Sequence, residues 1–161
     1  MISESGITLK AIGVVRNGIK ERPSQGWGEI ISDIVIHSSL TEALDNLDEF
    51  SHIIIIWWMH QVVAHLGQVR TKIHPTKRGE LPVGDLPVVG LFATRSPNRP
   101  NPVGKTTVRL LQREGNILRV KGLDAVDGTP VIDIKPYIPG YDSATDAKAP
   151  LWITNRRAKY Y

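Results

Sequence analysis

Runs of apolar, β-branched residues bounded by polar turn segments predict a protein built mainly from β-strands, and the continuous apolar run at residues 53–59 predicts a strand that is buried on both faces. Pairs that favour tight turns, such as Asn17-Gly18 and Asp127-Gly128, separate neighbouring strands, and Glu114-Gly115 predicts a hairpin. Strands at this spacing indicate a small antiparallel barrel or sandwich. The predicted strands cover residues 8–15, 29–36, 51–62, 88–94, 105–113, 116–123 and 131–137.

One segment has a different period. Leu40, Leu44 and Leu47 recur at helical intervals, and Ser39 and Glu42 have the spacing of a capping box. We therefore predict a short helix over residues 40–47. The tail, residues 143–161, predicts one further helical turn with Trp152 as its anchor.

Residues 70–85 show no periodicity and combine basic residues with proline and glycine. A loop of this length in a compact domain is typically functional or disordered. Its cations are candidate phosphate contacts, and so are those of the tail. These residues are Arg70, Lys72, Lys77 and Arg78 in the loop, and Arg156, Arg157 and Lys159 in the tail.

Composition narrows the classes of protein. A chain of 161 residues, 41% of them apolar, suits one domain over residues 1–161, with a core at about 8–142 and a tail at 143–161. The net charge of +4 favours a polyanionic partner. The absence of cysteine excludes disulfides, thiolate zinc sites and iron–sulfur clusters. We see neither a signal pattern nor an apolar run long enough to span a bilayer, so we expect a cytoplasmic protein.

The candidate chemistry is concentrated in residues 93–102, where two arginines, two asparagines and three prolines fall within ten residues. The prolines pre-order the loop because they fix φ. Arg95 and Arg99 can pair with a carboxylate or phosphate, while Asn98 and Asn101 can bond the edge of a heterocycle. A rigid surface turn is the alternative interpretation of this segment.

Three familiar binding motifs are missing. No G-x-G-x-x-G joins a strand to a helix, which excludes the usual Rossmann loop. Residues 99–106 end like a phosphate-binding P-loop, but Arg99 replaces its first glycine and two prolines remove N–H donors. The histidines form no H-E-x-x-H pattern, and we predict no metal site.

The loop also resembles the signature of the TsaA-like (TrmO) family, F-A-T-R-S-P-x-R-P-N-P-I-G, almost without interruption from Phe92 to Gly104. Further similar segments follow in the same order along the chain. They are residues 12–15, 23–25, 50–53 and 123–137. The resemblance implies a small antiparallel β-barrel with one or two short helices, a non-Rossmann methyltransferase that forms a homodimer. It also implies S-adenosylmethionine as cofactor and tRNA as partner, with methylation at N6 of N6-threonylcarbamoyladenosine beside the anticodon.

Carried over by position, the resemblance implies a set of cofactor-binding residues. They are Pro23, Ser24, Gln25, His60, Gln61, Arg95, Lys105, Asp124, Ala125, Val126, Asp127, Gly128 and Thr129. Two of these depart from the family pattern: Ser24 stands where family members often have arginine, and Lys105 where they have an aliphatic residue. Among them, Arg95 suits a carboxylate, and Asp124 or Asp127 suits ribose hydroxyls or an ammonium group.

The acceptor side of the reaction is less defined. Asp133 is the candidate general base, although a salt bridge on the strand is an alternative role for it. Asn101 is the alternative candidate for positioning the acceptor base, and Asn98 and Arg99 are candidate RNA contacts. Two other functions stay open: a methyltransferase of this fold that acts on a small molecule or protein, and a non-catalytic protein that binds S-adenosylmethionine or RNA.

Overall fold

A computed structural model describes residues 6–21, 23, 26–62, 71–74 and 87–153 of the chain. Six strands in this part form a closed antiparallel barrel in the order β1-β2-β7-β6-β3-β8, and β4 and β5 form a separate two-stranded sheet. The strands are β1 Gly13–Arg16, β2 Ile31–Ile36, β3 His52–Trp58, β4 Lys72–Ile73, β5 Val89–Gly90, β6 Val103–Glu114, β7 Ile117–Lys121 and β8 Pro130–Pro136. The predicted antiparallel β-barrel is confirmed.

The barrel encloses a core of aliphatic side chains because alternate residues of each strand point inward. In β3, Ile53, Ile55 and Trp57 belong to the buried cluster, where they meet residues such as Val108 and Leu118. β8 breaks the alternation with a bulge, since Trp57 lies opposite Val131 while the preceding residue of β3 lies opposite Asp133.

Because the strands are antiparallel, the loops segregate to the two ends of the barrel. The connections β1–β2 (residues 17–30), β3–β6 (59–102) and β7–β8 (122–129) all lie at one end, which we name the long-loop end. The connections β2–β3 (37–51) and β6–β7 (115–116) lie at the other, which we name the closed end.

At the closed end, Arg113 fastens the β2–β3 connection to the β6–β7 hairpin. Its guanidinium donates to the carbonyls of Leu44 and Thr41 at 3.0 and 3.3 Å, to Asp45 Oδ1 at 2.9 Å, and to the Gly115 carbonyl at 3.2 Å. Leu44 is 4% exposed and extends the core at this end. Arg113 thus satisfies two backbone carbonyls and one carboxylate of this connection within the protein.

The predicted helix at residues 40–47 is wrong in type and extent. The chain forms 3₁₀ turns at Ser38–Leu44 and Leu47–Glu49, and His37 rather than Ser39 is the N-cap, without a side-chain cap. Only Leu44 of the three leucines is buried, and Asn46 takes a left-handed φ of 62° that ends the segment. The short α-helix α1 is Pro139–Asp142, and residues 151–153 begin the predicted turn in the tail.

Several strand boundaries also differ from the prediction. β1 begins at Gly13 instead of residue 8, since pairing with β8 starts only where the Ile12 N–H meets the Val131 carbonyl. The strand predicted at 88–94 ends at Gly90 and continues as the 3₁₀ turn Leu91–Ala93. The local sequence could not show these boundaries, because a strand ends where its pairing with the neighbouring strand ends.

Candidate functional site

The long-loop end gathers most of the residues predicted from the sequence. All three of its connections contribute to this set, although they are far apart along the chain. The predicted residues that lie there are Pro23, His60, Gln61, Arg95, Asn98, Arg99, Asn101, Asp124, Ala125, Val126, Asp127, Gly128 and Thr129. Ser24, Gln25, Arg70, Lys77, Arg78, Arg156, Arg157 and Lys159 lie outside the described residues.

Trp57 forms the floor of this end of the barrel. It points inward near the end of β3 and is 8% exposed, with Gly104 of β6 directly opposite. A Cβ atom on Gly104 would overlap the Trp57 indole ring. The glycine that ends the predicted binding loop is therefore needed for a structural reason, because only a residue without a side chain lets the indole lie across β6.

The floor is joined to the site by two hydrogen bonds in series. Trp57 Nε1 donates to Thr106 Oγ1 at 3.2 Å, and the Thr106 hydroxyl donates to Asp124 Oδ1. The direction is determined because indole N–H can only donate, so the single hydroxyl proton of Thr106 remains for the carboxylate. Asp124 Oδ2 has no hydrogen-bond partner among the described residues and remains an open acceptor.

The β7–β8 loop is tied to the β1–β2 loop by Asn17 and Asp127. Asn17 Nδ2 donates to Ser32 Oγ and to the Ala125 carbonyl, both at 3.0 Å. Asp127 Oδ1 accepts the backbone N–H groups of Asn17 and Gly18, at 2.9 and 3.1 Å. These N–H groups hold the pKa of the Asp127 carboxyl below its ordinary value. Asp127 thus has a structural role at the site, in addition to the cofactor contact predicted for it.

Two predicted residues of this loop are buried. Ala125 and Thr129 are each 1% exposed, and Thr129 Oγ1 has no hydrogen-bond partner in the described part of the chain. A buried hydroxyl without a partner costs roughly 1–3 kcal/mol unless a ligand or water meets it. Thr129 is therefore a polar group that a ligand in this end of the barrel could satisfy.

Hydrogen bonds to backbone groups hold the proline-rich loop in place. The Thr94 hydroxyl donates to the Leu91 carbonyl at 2.8 Å and accepts the Ser96 N–H at 3.2 Å, and the Pro102 carbonyl accepts the Met59 N–H at 2.8 Å. Within the ranges that the structure describes, the side chains of Arg95, Asn98 and Asn101 make no hydrogen bond or ion pair. The loop thus presents unused donors on an ordered backbone.

Asp133 and Lys105 lie away from this floor. Asp133 is opposite the outward-facing Ile56, and its Oδ2 forms an ion pair with Lys135 at 2.8 Å. Lys105 is exposed on the same outer surface of the barrel and donates to Thr107 Oγ1 at 3.1 Å. The salt-bridge alternative for Asp133 is present in the structure, while its role as a base stays a prediction.

Sequence reasoning missed two residues that shape the site. Asn17 was named only as the start of a predicted turn, and Thr106 fell only in the segment 99–106 that was rejected as a P-loop. Alternation in β6 places Thr106 on the inward face, and a polar residue there was the one available signal.

The geometry defines a class of protein: a small closed β-barrel, without a dinucleotide-binding crossover in its described part, with a candidate ligand-binding site at one end. No cluster of three potential metal ligands occurs among the described residues. The described part also contains no helix long and apolar enough to cross a membrane.

This chain belongs to the family of the tRNA-methyltransferase O N-terminal domain, whose sequence model matches residues 17–143. It is 42% identical over 146 residues to a probable S-adenosyl-L-methionine-binding protein of Methanothermobacter thermautotrophicus, covering 88% of this chain and 98% of that one. The resemblance inferred from the signature is confirmed.

Two bacterial proteins extend the comparison. The chain is 35% identical over 158 residues to the tRNA (adenine(37)-N6)-methyltransferase of Escherichia coli, covering 90% of this chain and 63% of that enzyme. The crystal structure of TrmO from Pseudomonas aeruginosa matches with a TM-score of 0.71 at 27% identity, covering 94% of this chain and 63% of that one. The chain thus spans less than two thirds of both bacterial proteins.

Proposed function

We propose that this protein is an S-adenosylmethionine-dependent methyltransferase that modifies N6 of adenine 37 in tRNA, with N6-threonylcarbamoyladenosine as the acceptor. The observation that carries the proposal is the convergence of three separate loops, with open donors and acceptors, at one end of the barrel. The 35% identity to the Escherichia coli tRNA (adenine(37)-N6)-methyltransferase, over 90% of this chain, supports the choice of reaction.

The residues at the long-loop end fit S-adenosylmethionine, which supplies an electrophilic methyl group on a sulfonium. The free Oδ2 of Asp124 can accept hydrogen bonds from ribose hydroxyls or an ammonium group, and the buried hydroxyl of Thr129 needs a partner. The Arg95 guanidinium has no partner among the described residues and suits a carboxylate. Trp57 and the core beneath it exclude water from below, which favours methyl transfer over side reactions.

On the acceptor side, Asn101 and Asn98 offer both donors and acceptors for the edge of an adenine. Transfer to a nitrogen releases a proton, and Asp133 is the carboxylate that we assign to receive it, which requires the acceptor to reach the outer surface of the barrel where Asp133 lies. This role requires Asp133 to exchange its partner Lys135 for the substrate, since the two are ion-paired at 2.8 Å. Arg99 and the basic β3–β6 connection supply contacts to the RNA backbone.

The test uses radiolabelled S-adenosylmethionine and two matched tRNAs, one with threonylcarbamoylated adenine 37 and one with unmodified adenine. We expect the label in the modified tRNA alone. Equal labelling of both would contradict the proposed acceptor, and labelling of neither by a protein that binds the cofactor would contradict the reaction. Arg95→Ala is the matched loss-of-binding variant, and Arg119→Ala on the outer wall is its control.

A second candidate function is binding of S-adenosylmethionine without catalysis. The relative that matches over 98% of its own length is named a probable S-adenosyl-L-methionine-binding protein, which favours this alternative. Tight cofactor binding by calorimetry, with no product on any tRNA fraction, would support it over the methyltransferase.

We also propose that the protein acts in the cytoplasm, where tRNA is modified, and as a homodimer. The family resemblance supports the dimer, and so does size, because a chain of 161 residues covers little of a tRNA. Light scattering on the full chain measures the mass directly.

A further inference from the structure

We propose that Phe92 and Arg99 form a stacking platform for an unpaired nucleobase of the RNA, next to the base that is methylated. The inference deepens the proposed function and rests on it, since it requires an RNA substrate. It adds a residue, Phe92, whose role neither the cofactor site nor the acceptor contacts explain.

The backbone around Phe92 keeps its side chain exposed to solvent. Its side chain is 78% exposed, whereas the preceding Leu91 is 3% exposed. The Leu91 N–H donates to the Thr71 carbonyl at 2.9 Å, and the Thr94 N–H donates to the Leu91 carbonyl at 3.1 Å. Because Leu91 is anchored inside and the 3₁₀ turn Leu91–Ala93 fixes the backbone, the next side chain must point outward.

Arg99 lies against this exposed ring. The Arg99 guanidinium carbon is 5.8 Å from the centroid of the Phe92 ring, within the range of a cation–π contact. A phenyl ring and a guanidinium plane are the two side-chain surfaces on which unpaired bases stack in RNA complexes. The pair lies in the β3–β6 connection at the long-loop end, and so on the same side of the barrel as Asp124.

The charge of the surroundings favours RNA over a second copy of the chain. Residues 91–102 contain two arginines and no acidic residue. Two copies of this cationic segment repel each other when they are brought face to face, whereas a polyanion is attracted to it. A base attached to phosphates satisfies both the ring and the arginine.

The experiment places 2-aminopurine beside adenine 37 in threonylcarbamoylated tRNA and follows its fluorescence with the full chain. Stacking quenches this fluorophore. We expect quenching with the unaltered protein and with Phe92→Tyr, which keeps the aromatic face. With Phe92→Leu, which keeps apolar bulk only, we expect the quenching to be lost and the RNA Kd to rise roughly 5- to 100-fold. Arg99→Lys keeps the charge without the plane and should give a smaller loss.

Cofactor affinity is the internal control, since Phe92 is not part of the proposed cofactor contacts. Equal quenching and RNA affinity for Phe92→Leu and the unaltered protein would overturn the platform. A change of Phe92→Leu from dimer to monomer by light scattering, with unchanged quenching, would also overturn it and make a second copy the occupant. If the unaltered protein binds no tRNA, the proposed function fails first; if it binds and Phe92→Leu behaves alike, only the platform fails.

Discussion

The two ends of this barrel are built from the same strands and differ in how they use their polar groups. At the closed end, the Arg113 guanidinium donates hydrogen bonds to three carbonyls and a carboxylate of the protein. At the long-loop end, the backbone is also braced, but Arg95 and the second oxygen of Asp124 are left without partners among the described residues. The arginine at the closed end is bonded within the protein, whereas polar groups at the long-loop end are left for a ligand.

This contrast separates two uses of the same residue type. An arginine with several well-placed acceptors contributes to stability, while an arginine held on an ordered loop without acceptors is available for binding. Substitutions at the closed end should therefore change the free energy of unfolding, and substitutions at the long-loop end should change ligand affinity, except where the floor itself is altered.

Gly104→Ala is expected to have the largest effect, because it breaks the floor. Its Cβ would overlap the Trp57 indole, so the ring or β6 must shift, at a cost of about 3 kcal/mol in the free energy of unfolding. Denaturant unfolding measures this loss, and calorimetry should show weakened cofactor binding. Gly90→Ala is the matched control, since a Cβ there meets nothing within 4 Å. Equal stability of the two variants would contradict the assigned role of the glycine.

Asp124→Asn tests the open acceptor with little change to the fold. The amide oxygen of asparagine can still accept from Thr106, which leaves the NH₂ group where the free carboxylate oxygen was. We expect the cofactor Kd to rise roughly 30-fold, about 2 kcal/mol, with nearly unchanged melting. Asp33→Asn is the control carboxylate outside the site.

Thr106 refines that test. Thr106→Val keeps the shape but removes the hydroxyl between Trp57 and Asp124, and Thr106→Ser keeps the hydroxyl. Cofactor affinity should fall in the valine variant and recover in the serine variant. Equal affinities in both would show that Asp124 needs no support from the floor.

Arg113→Ala should act on stability alone. It removes four hydrogen bonds at the closed end, and we expect a loss of about 2 kcal/mol in the free energy of unfolding. Cofactor affinity should stay as it was. Arg119→Ala is the matched control: its ion pair with Asp33 is exposed and screened by solvent, so its loss should change the free energy of unfolding much less than Arg113→Ala does. A fall in cofactor affinity for Arg113→Ala would remove the distinction between the ends.

The smallest expected effect concerns pH and Asp127. Because the N–H groups of Asn17 and Gly18 lower the pKa of its carboxyl, the ionised form stabilises the fold above the pKa of the unfolded chain. This contribution is lost as pH falls through the lowered pKa. Asp127→Asn should therefore be less stable than the unaltered protein by about 1 kcal/mol at neutral pH. The difference should shrink at about pH 3, and a constant difference would contradict the assignment.

Much of the fold could be predicted because β-branched runs and turn signals are local properties of the chain. The strands in residues 29–36 and 131–137 lie within a residue or two of β2 and β8. The prediction of a helix at residues 40–47 was wrong because helical spacing does not ensure burial: Leu40 stays 36% exposed. The predicted start of β1 at residue 8 was also wrong. A strand begins where a neighbouring strand pairs with it and not where β-branched residues begin.

The sequence by itself determined that this is a β protein with a stiff, cationic, proline-rich loop, because β-branched runs, turn signals and proline act within a few residues. It also carried the family signature from which most site residues were predicted. Only the tertiary structure decided which polar groups remain open. Thr106 lies between Trp57 and Asp124, and Arg113 reaches the β2–β3 connection, through contacts between residues 18 to 72 positions apart. Closure of the barrel creates those contacts, and no local pattern contains them.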